Sequence, residues 1–205
     1  MTPSPAAVPP PLPLVLQPFS AAASPAKLTL SAAARRHGRR LTLQWQLAGE
    51  LQAVALPEPG SAPQRRDELW TRTCLEAFLA APGDEVYREL NLCPSGDWNL
   101  YRLEGYRRGL RPDAAQPSLP CQRQQGEGWL QLEVTLDLER LLGPSAADGP
   151  LELSFTAVIA GREESGTDGP PQAAAISYWA LHHPAAEPDF HHRGGFVLPL
   201  PAEGT

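Results

Sequence analysis

Apolar and polar residues alternate along much of this chain. Leu28 and Leu30 flank Thr29, and Leu41, Leu43, Trp45 and Leu47 interleave with Thr42, Gln44 and Gln46. The same period of two runs through Leu130, Leu132, Val134 and Leu136, and through Leu151, Leu153, Phe155 and Ala157. Successive side chains on a strand point to opposite faces, so each run has one apolar and one wettable face. That is what an antiparallel sheet packed on one side requires. Further strands are predicted over 51–56, Cys74–Ala80, Tyr87–Leu92, Trp98–Leu103, 176–181 and 196–200. The one persuasive helical signal is short: Asp137 caps Leu138–Leu142, and Gly143 ends the turn. About ten strands with so little helix predict an all-β fold. The expected form is an antiparallel two-sheet β-sandwich, jelly-roll or immunoglobulin-like, with at most one or two short helices.

Composition sharpens this picture at a few points. The 24 prolines and 17 glycines lie mostly between the apolar runs, as turns between short strands require. Residues 1–13 are Pro/Ala-rich and read as a poorly ordered lead-in, with 14–205 as a single domain. The polar, proline-bearing stretches 57–66 and 111–128, together with 161–172, read as long loops. A formal charge of −6 lacks the electrostatic footprint of a nucleic-acid binder. The three cysteines, Cys74, Cys93 and Cys121, have neither disulfide-framework nor zinc-ribbon spacing. No basic n-region opens the chain and no apolar run is long enough for a membrane span, so a cytoplasmic location without membrane association is expected.

Candidate chemistry concentrates in two places. The first spans Asp67 to Gly109 and reads DELWTRTCLEAF, then YRELNLCPSGDWNLYRLEGYRRG. Strand parity puts Tyr87, Glu89 and Asn91 on one face, opposite Leu90 and Leu92, and puts Glu76 with Cys74 and Phe78. A carboxylate there must reach a wet rim or find a partner, for which Arg72 and Arg88 are candidates. Trp70, Trp98, Tyr101 and Tyr106 surround this polar strip. Flat rings beside carboxylates and amides suit sugars, whose apolar faces stack while their hydroxyls bond to polar side chains. The competing reading is that these rings are ordinary core and corner residues.

The second place reads SYWALHH and then PDFHH, with four of the five histidines inside eleven residues and Asp189 between the pairs. Imidazoles with a carboxylate could hold zinc or iron. Adjacent histidines on an extended chain nevertheless point apart, and the bland alternative is a loop fixed by His and Asp hydrogen bonds. No nucleophile or phosphate-binding motif appears, and Ser95-Gly96-Asp97 reads as a turn.

The segments LWTRTCLEAFLA, YRELNLCPSGDWNLYRLEGYRRG and ISYWALHHPAAEPDFHHRGGFVLPL resemble the DOMON-like group related to family 9 carbohydrate-binding modules. The resemblance implies a jelly-roll-like sandwich that holds a sugar or a haem. Family 9 modules place a sugar end between two tryptophans, and here Trp70, with Glu76 six residues on, looks like the first and Trp179 like the second. The methionine–histidine haem ligation of cytochrome-type members is not open to a chain whose single methionine is Met1.

Three readings follow. The leading one is a non-catalytic module for a small-molecule ligand, a carbohydrate or similar polar molecule. Its expected contacts are Trp70, Glu76, Glu89, Asn91, Trp98, Trp179, His182, Asp189 and His191. An alternative is a haem or metal protein using His182, His183, His191 and His192. A further alternative is a structural or protein-interaction domain. A glycoside hydrolase needs two carboxylates across a cleft and comes last.

Overall fold

The computed structural model describes residues 13–20, 27–60, 62–162 and 175–202. The lead-in expected over 1–13 lies outside these except for Pro13, and most of the loop expected over 161–172 lies outside them as well. Twelve strands appear among the described residues: β1 (Leu14–Pro18), β2 (Leu28–His37), β3 (Arg40–Gly49), β4 (Cys74–Ala80), β5 (Tyr87–Leu92) and β6 (Trp98–Leu103), then β7 (Arg111–Pro112), β8 (Cys121–Gly126), β9 (Trp129–Asp137), β10 (Leu151–Ala160), β11 (Ile176–Ala180) and β12 (Leu198–Leu200). Two short helices, α1 (Leu138–Leu142) and α2 (Pro144–Ala147), follow β9. The fold is all-β.

The expected two separate sheets are not found among the described residues. The strands instead form one antiparallel path, β7-β6-β5-β4-β10-β11-β1-β2-β3-β9-β8, with β12 on β10. Strand β1 is the joint: Gln17 and Pro18 pair with β11, while Leu14, Val15 and Leu16 pair with β2. The path curls so that its two halves share a core, in which Trp45 of β3 meets Phe155 of β10 edge-on with ring centroids 5.2 Å apart.

Register explains how the halves differ. In the β2-β3-β9 half, Ala32 pairs with Trp45 and Trp45 with Leu132, so the apolar faces coincide across three strands. The opposite face stays polar: Thr42 bonds Thr135 at 3.0 Å and the Gln44 amide donates to Gln131 at 3.1 Å. A tight turn joins β2 to β3 through Gly38, whose φ of +58° suits a residue without a Cβ. In the other half, every residue of β4 and β5 is buried, and β10 is nearly so. One face packs Leu75, Ala77, Leu79, Leu90, Leu92 and Phe155 into the shared core. The other carries Phe78, Tyr87 and Tyr101 in a second, smaller cluster with Phe196, against which Trp70 and Phe190 pack.

Three expectations need correction. Residues 51–56 are not a strand: Leu51–Ala53 is a 3-10 turn and Val54 makes a single bridge to Gly161. Gly49 breaks β3 there with φ +125°, and a Cβ on it would lie 2.1 Å from the Lys27 carbonyl oxygen. The stretch 111–128 is not simply a loop, because it contains β7 and β8. Strand β8 reads CQRQQG and buries little, so backbone pairing with β9 rather than an apolar face holds it. Finally, Arg88 does not serve Glu76. It forms a buried ion pair with Asp113 at 2.9 Å on the core side and donates to the Leu141 carbonyl at 2.6 Å.

Phe155, fully buried between the halves, is where the curl is most sensitive to volume. Replacement of Phe155 by Ala is expected to cost about 3–5 kcal/mol, read as a lower urea midpoint at unchanged slope. A loss near zero would mean that the two halves do not share a core.

Candidate functional site

The face of β5-β4-β10 turned away from the shared core is buried, whereas on β11 Ile176 and Tyr178 stay exposed on that side. The segment after β11 folds back across it, as does the loop after β6, leaving a pocket of about 330 Å³. Its floor comes from alternate strand residues: Glu76 and Phe78 of β4, Glu89 of β5, Val158 of β10 and Tyr178 of β11. Its walls are Trp70 from the 3-10 turn Leu69–Thr71, Arg107 and Leu110 after β6, and Pro188, Phe190 and His191 of the covering segment. A second depression of about 660 Å³ around Gly83–Glu85 and Tyr106 is larger, but it is rimmed by the ion pairs Arg108–Glu85 and Arg193–Glu152.

The two carboxyls dominate the floor. Glu76 pairs with Asn91 across β4-β5 and Glu89 with Phe78, so the acids are diagonal neighbours on one face. Glu76 is 2% exposed and accepts from the Thr156 hydroxyl at 3.1 Å. Glu89 is 4% exposed; its Oε1 accepts from the Asn91 amide at 2.9 Å, while its Oε2 has no protein hydrogen-bond partner. Burial pushes the Glu76 carboxyl well above the usual range, and the charge on Glu89 adds to this. Burial also lifts Glu89, to about 7, against the opposing pull of the Asn91 hydrogen bond and of Arg107. The floor is thus held protonated or half-protonated at neutral pH.

His191 closes the site above Glu89. The Tyr87 hydroxyl accepts the Arg107 backbone N–H at 3.3 Å and lies 2.8 Å from His191 Nδ1. The hydroxyl can donate to Nδ1 or accept from it, and the other ring nitrogen, Nε2, lies 4.0 Å from Glu89 Oε2. Burial and the neighbouring Arg107 charge lower the imidazole to about 4, so it is neutral at physiological pH. Asp189 organises the rim: it accepts from the Tyr106 hydroxyl at 2.7 Å, from the Arg107 guanidinium at 3.0 Å and from the His191 backbone N–H at 3.2 Å. Burial pushes Asp189 upward, but the hydrogen bonds from Tyr106 and Arg107 outweigh it and leave the carboxyl below its ordinary value.

The described non-glycine residues with positive φ both belong to this site. Glu68, at φ 59°, precedes the turn that carries Trp70, and Arg107, at φ 52°, is itself a wall. Such conformations cost on the order of 1 kcal/mol or more and persist where the surroundings fix them. Trp70 is steadied by an edge contact with Tyr101 at 5.8 Å, and the Tyr101 hydroxyl donates to Asp67 at 2.7 Å.

Of the residues expected from sequence, Trp70, Glu76, Glu89 and His191 meet at the pocket. Asn91 is fully buried beneath them and orients Glu89. Asp189 acts at the rim. Trp98 and Trp179 do not reach the site; both are core residues, 3% and 4% exposed, with Arg65 stacked over Trp98 and the Trp179 indole N–H donating to Ser177. His182 is exposed and outside the lining. The histidines disperse: His183 bonds the Gln17 carbonyl, His192 accepts from the Gly194 N–H, and His191 faces Glu89. Among the described residues no group of three or more His, Cys, Asp or Glu could hold a metal ion, and no helix is long and apolar enough to cross a membrane. Sequence reasoning missed Phe78, Arg107, Leu110, Val158, Tyr178, Pro188 and Phe190. For Tyr178 a signal existed: on β11 it alternates with Ser177 and Trp179, so Tyr178 and Trp179 cannot share a face.

No family model matches the sequence, and no curated protein does. Solved structures do show likeness. A protein from Bacteroides uniformis ATCC 8492 described as a "putative carbohydrate-binding protein" superposes with a TM-score of 0.61 at 15% identity, covering 88% of this chain and 83% of its own. A family 9 carbohydrate-binding module from Caldicellulosiruptor kristjanssonii in complex with glucose gives a TM-score of 0.40 at 12% identity, over 77% of this chain and 69% of its own. In complex with cellotriose it gives 0.43 at 11%, over 82% and 71%. The Bacteroides uniformis comparison establishes a shared fold.

The raised Glu89 carboxyl has a consequence for stability. The folded state holds this proton more tightly than the unfolded chain, so the contribution is full below about pH 4.5 and is lost as pH rises through about 7. Glu89→Gln, which cannot ionise, is therefore expected to gain stability relative to the parent protein on going from about pH 5 to about pH 8. Urea unfolding at both pH values reads the difference. An equal effect of the substitution at the two would show that Glu89 titrates like an exposed acid.

Proposed function

We propose that this chain is a non-catalytic carbohydrate-binding module, related to the DOMON-like group and family 9 modules, whose pocket holds one end of a small polyhydroxylated ligand. The observation that carries this reading is Glu89: a carboxyl 4% exposed, lining a pocket, with one oxygen lacking a protein partner. A buried polar atom left unpaired costs about 1–3 kcal/mol, a penalty that a ligand hydroxyl would remove. Glu76, Glu89 and the His191 imidazole together offer both donors and acceptors. The rings of Trp70, Tyr178 and Phe190 offer flat surfaces for the apolar face of a sugar ring. A volume of about 330 Å³ lies at the small end of ligand sites and suits a terminal unit rather than a chain lying across the surface. The shared fold with a protein described as carbohydrate-binding agrees with this reading.

Hydrolysis is not favoured, because Glu76 and Glu89 are diagonal neighbours on one wall. A glycosidase sets its two carboxyls on opposite sides of the scissile bond. The haem and metal reading has lost its cluster, since only His191 of the four histidines reaches the pocket.

Calorimetry against a panel of mono- and disaccharides tests the proposal. Trp70→Ala and Tyr178→Ala are each expected to weaken binding about tenfold or more, whereas Trp179→Phe, altering a core residue, is expected to leave affinity unchanged. Failure of the parent protein to bind any sugar overturns the reading. So does a Trp179 variant that loses binding while the Trp70 and Tyr178 variants keep it.

A further inference from the structure

The floor of the pocket sets two carboxyls side by side with no Lys or Arg in ion-pair contact among the described residues. Glu76 makes no ion pair among the described residues, and Glu89 has only His191 within reach, at 4.0 Å. That imidazole is neutral near pH 7. The remaining cation of the lining, Arg107, is held by Asp189 at the rim. With both floor acids ionised, the two carboxylates would therefore face the pocket with only the charge of Arg107, beyond ion-pairing distance, acting on Glu89.

We propose, resting on the carbohydrate reading above, that the preferred ligand is an amino sugar whose protonated amine sits against Glu76 and Glu89. An ammonium group brings three N–H donors and a charge, and matches a pair of acceptor-rich carboxyls better than a hydroxyl does. The wall rings add to this, because aromatic faces attract cations. A neutral sugar can bond to the protonated pair but gains no charge assistance.

Binding is then linked to proton loss. The titratable groups around the amine are Glu76 and Glu89 from the floor with Cys74, Tyr87 and Tyr101 beside them on the same face, Tyr178 of β11, His191 and Asp189 from the covering segment, and Arg107 from the loop after β6. Of these, Glu89 sits nearest neutrality, at about 7, so it is the group from which an incoming ammonium displaces a proton.

Calorimetry of the full chain at about pH 6.5 with glucosamine hydrochloride, glucose, N-acetylglucosamine and ethanolamine decides the matter. Glucosamine is expected to bind about tenfold or more tighter than the two neutral sugars and tighter than ethanolamine. It is also expected to release a proton, read from the dependence of the heat on buffer ionisation, where glucose releases none. In Glu89→Gln and in Glu76→Gln, each verified as folded by circular dichroism, glucosamine should lose more affinity than glucose, so that the preference falls toward unity. Equal affinity for glucosamine and glucose, absence of proton release, or a preference that survives both variants overturns this inference and leaves the carbohydrate reading standing. Ethanolamine binding as tightly as glucosamine overturns it too, since the ring would contribute nothing. No sugar binding at all overturns the carbohydrate reading itself.

Discussion

Burial of β4, β5 and β10 on both faces is the constraint from which the rest of this structure follows. A strand covered on one side can send every second side chain to water, as β3 and β9 do with their Thr and Gln ladders. When a second layer closes over the far face, those alternate positions must be apolar or internally satisfied. Most comply: Phe78, Tyr87 and Tyr101 pack with Phe196, and Ser154, Thr156 and Asn91 are small or bonded. Glu76 and Glu89 comply only in part, and the protein accommodates them by shifting their proton affinities upward.

The covering layer is built by side-chain bonds more than by regular structure. The segment between β11 and β12 contributes one 3-10 turn, Arg193–Gly195, and is otherwise irregular. Phe196 and Phe190 anchor it in the smaller cluster, and Asp189 ties it to Tyr106 and Arg107. On the opposite side, Asp67 fixes Tyr101 and Asn99, and Trp70 leans on Tyr101. The left-handed backbones of Glu68 and Arg107 belong to these two supports. The rigid floor is therefore a product of the sheet, whereas the walls depend on a few polar ties at the rim.

That division matches what was legible in the sequence. The period-two runs located β3, β9 and β10 and placed Glu76 and Glu89 on the face opposite Leu75 and Leu90, because strand parity is a local rule. Asp137 and Gly143 marked α1 for the same reason. What parity cannot express is whether a face is covered. The polar strip therefore read equally well as a wet surface, and Trp98 and Trp179 were drawn into the site by their chemistry although register turns both into the core. The continuity of the sheet through β1 and the pairing of β8 were likewise hidden, since both rest on backbone pairing between segments far apart in sequence. Arg107 and Phe190 became wall residues through tertiary contacts that no spacing rule encodes.

A fold optimised only for stability would not keep two acids in this layer. Replacing buried charges with well-packed apolar residues is often neutral or stabilising, and the neighbouring Phe78 and Val158 show that apolar side chains are accommodated on this face. The polar groups around the acids orient them without saturating them: Asn91 occupies one oxygen of Glu89 and leaves the other, while Tyr87 holds the His191 ring 4.0 Å from it. A purely structural network would be expected to close on itself, because a half-satisfied buried network is worse than an apolar one. This one leaves Oε2 of Glu89, a residue of the pocket lining, without a protein hydrogen-bond partner. At these two positions the sheet gives up stability that apolar side chains of similar volume would keep.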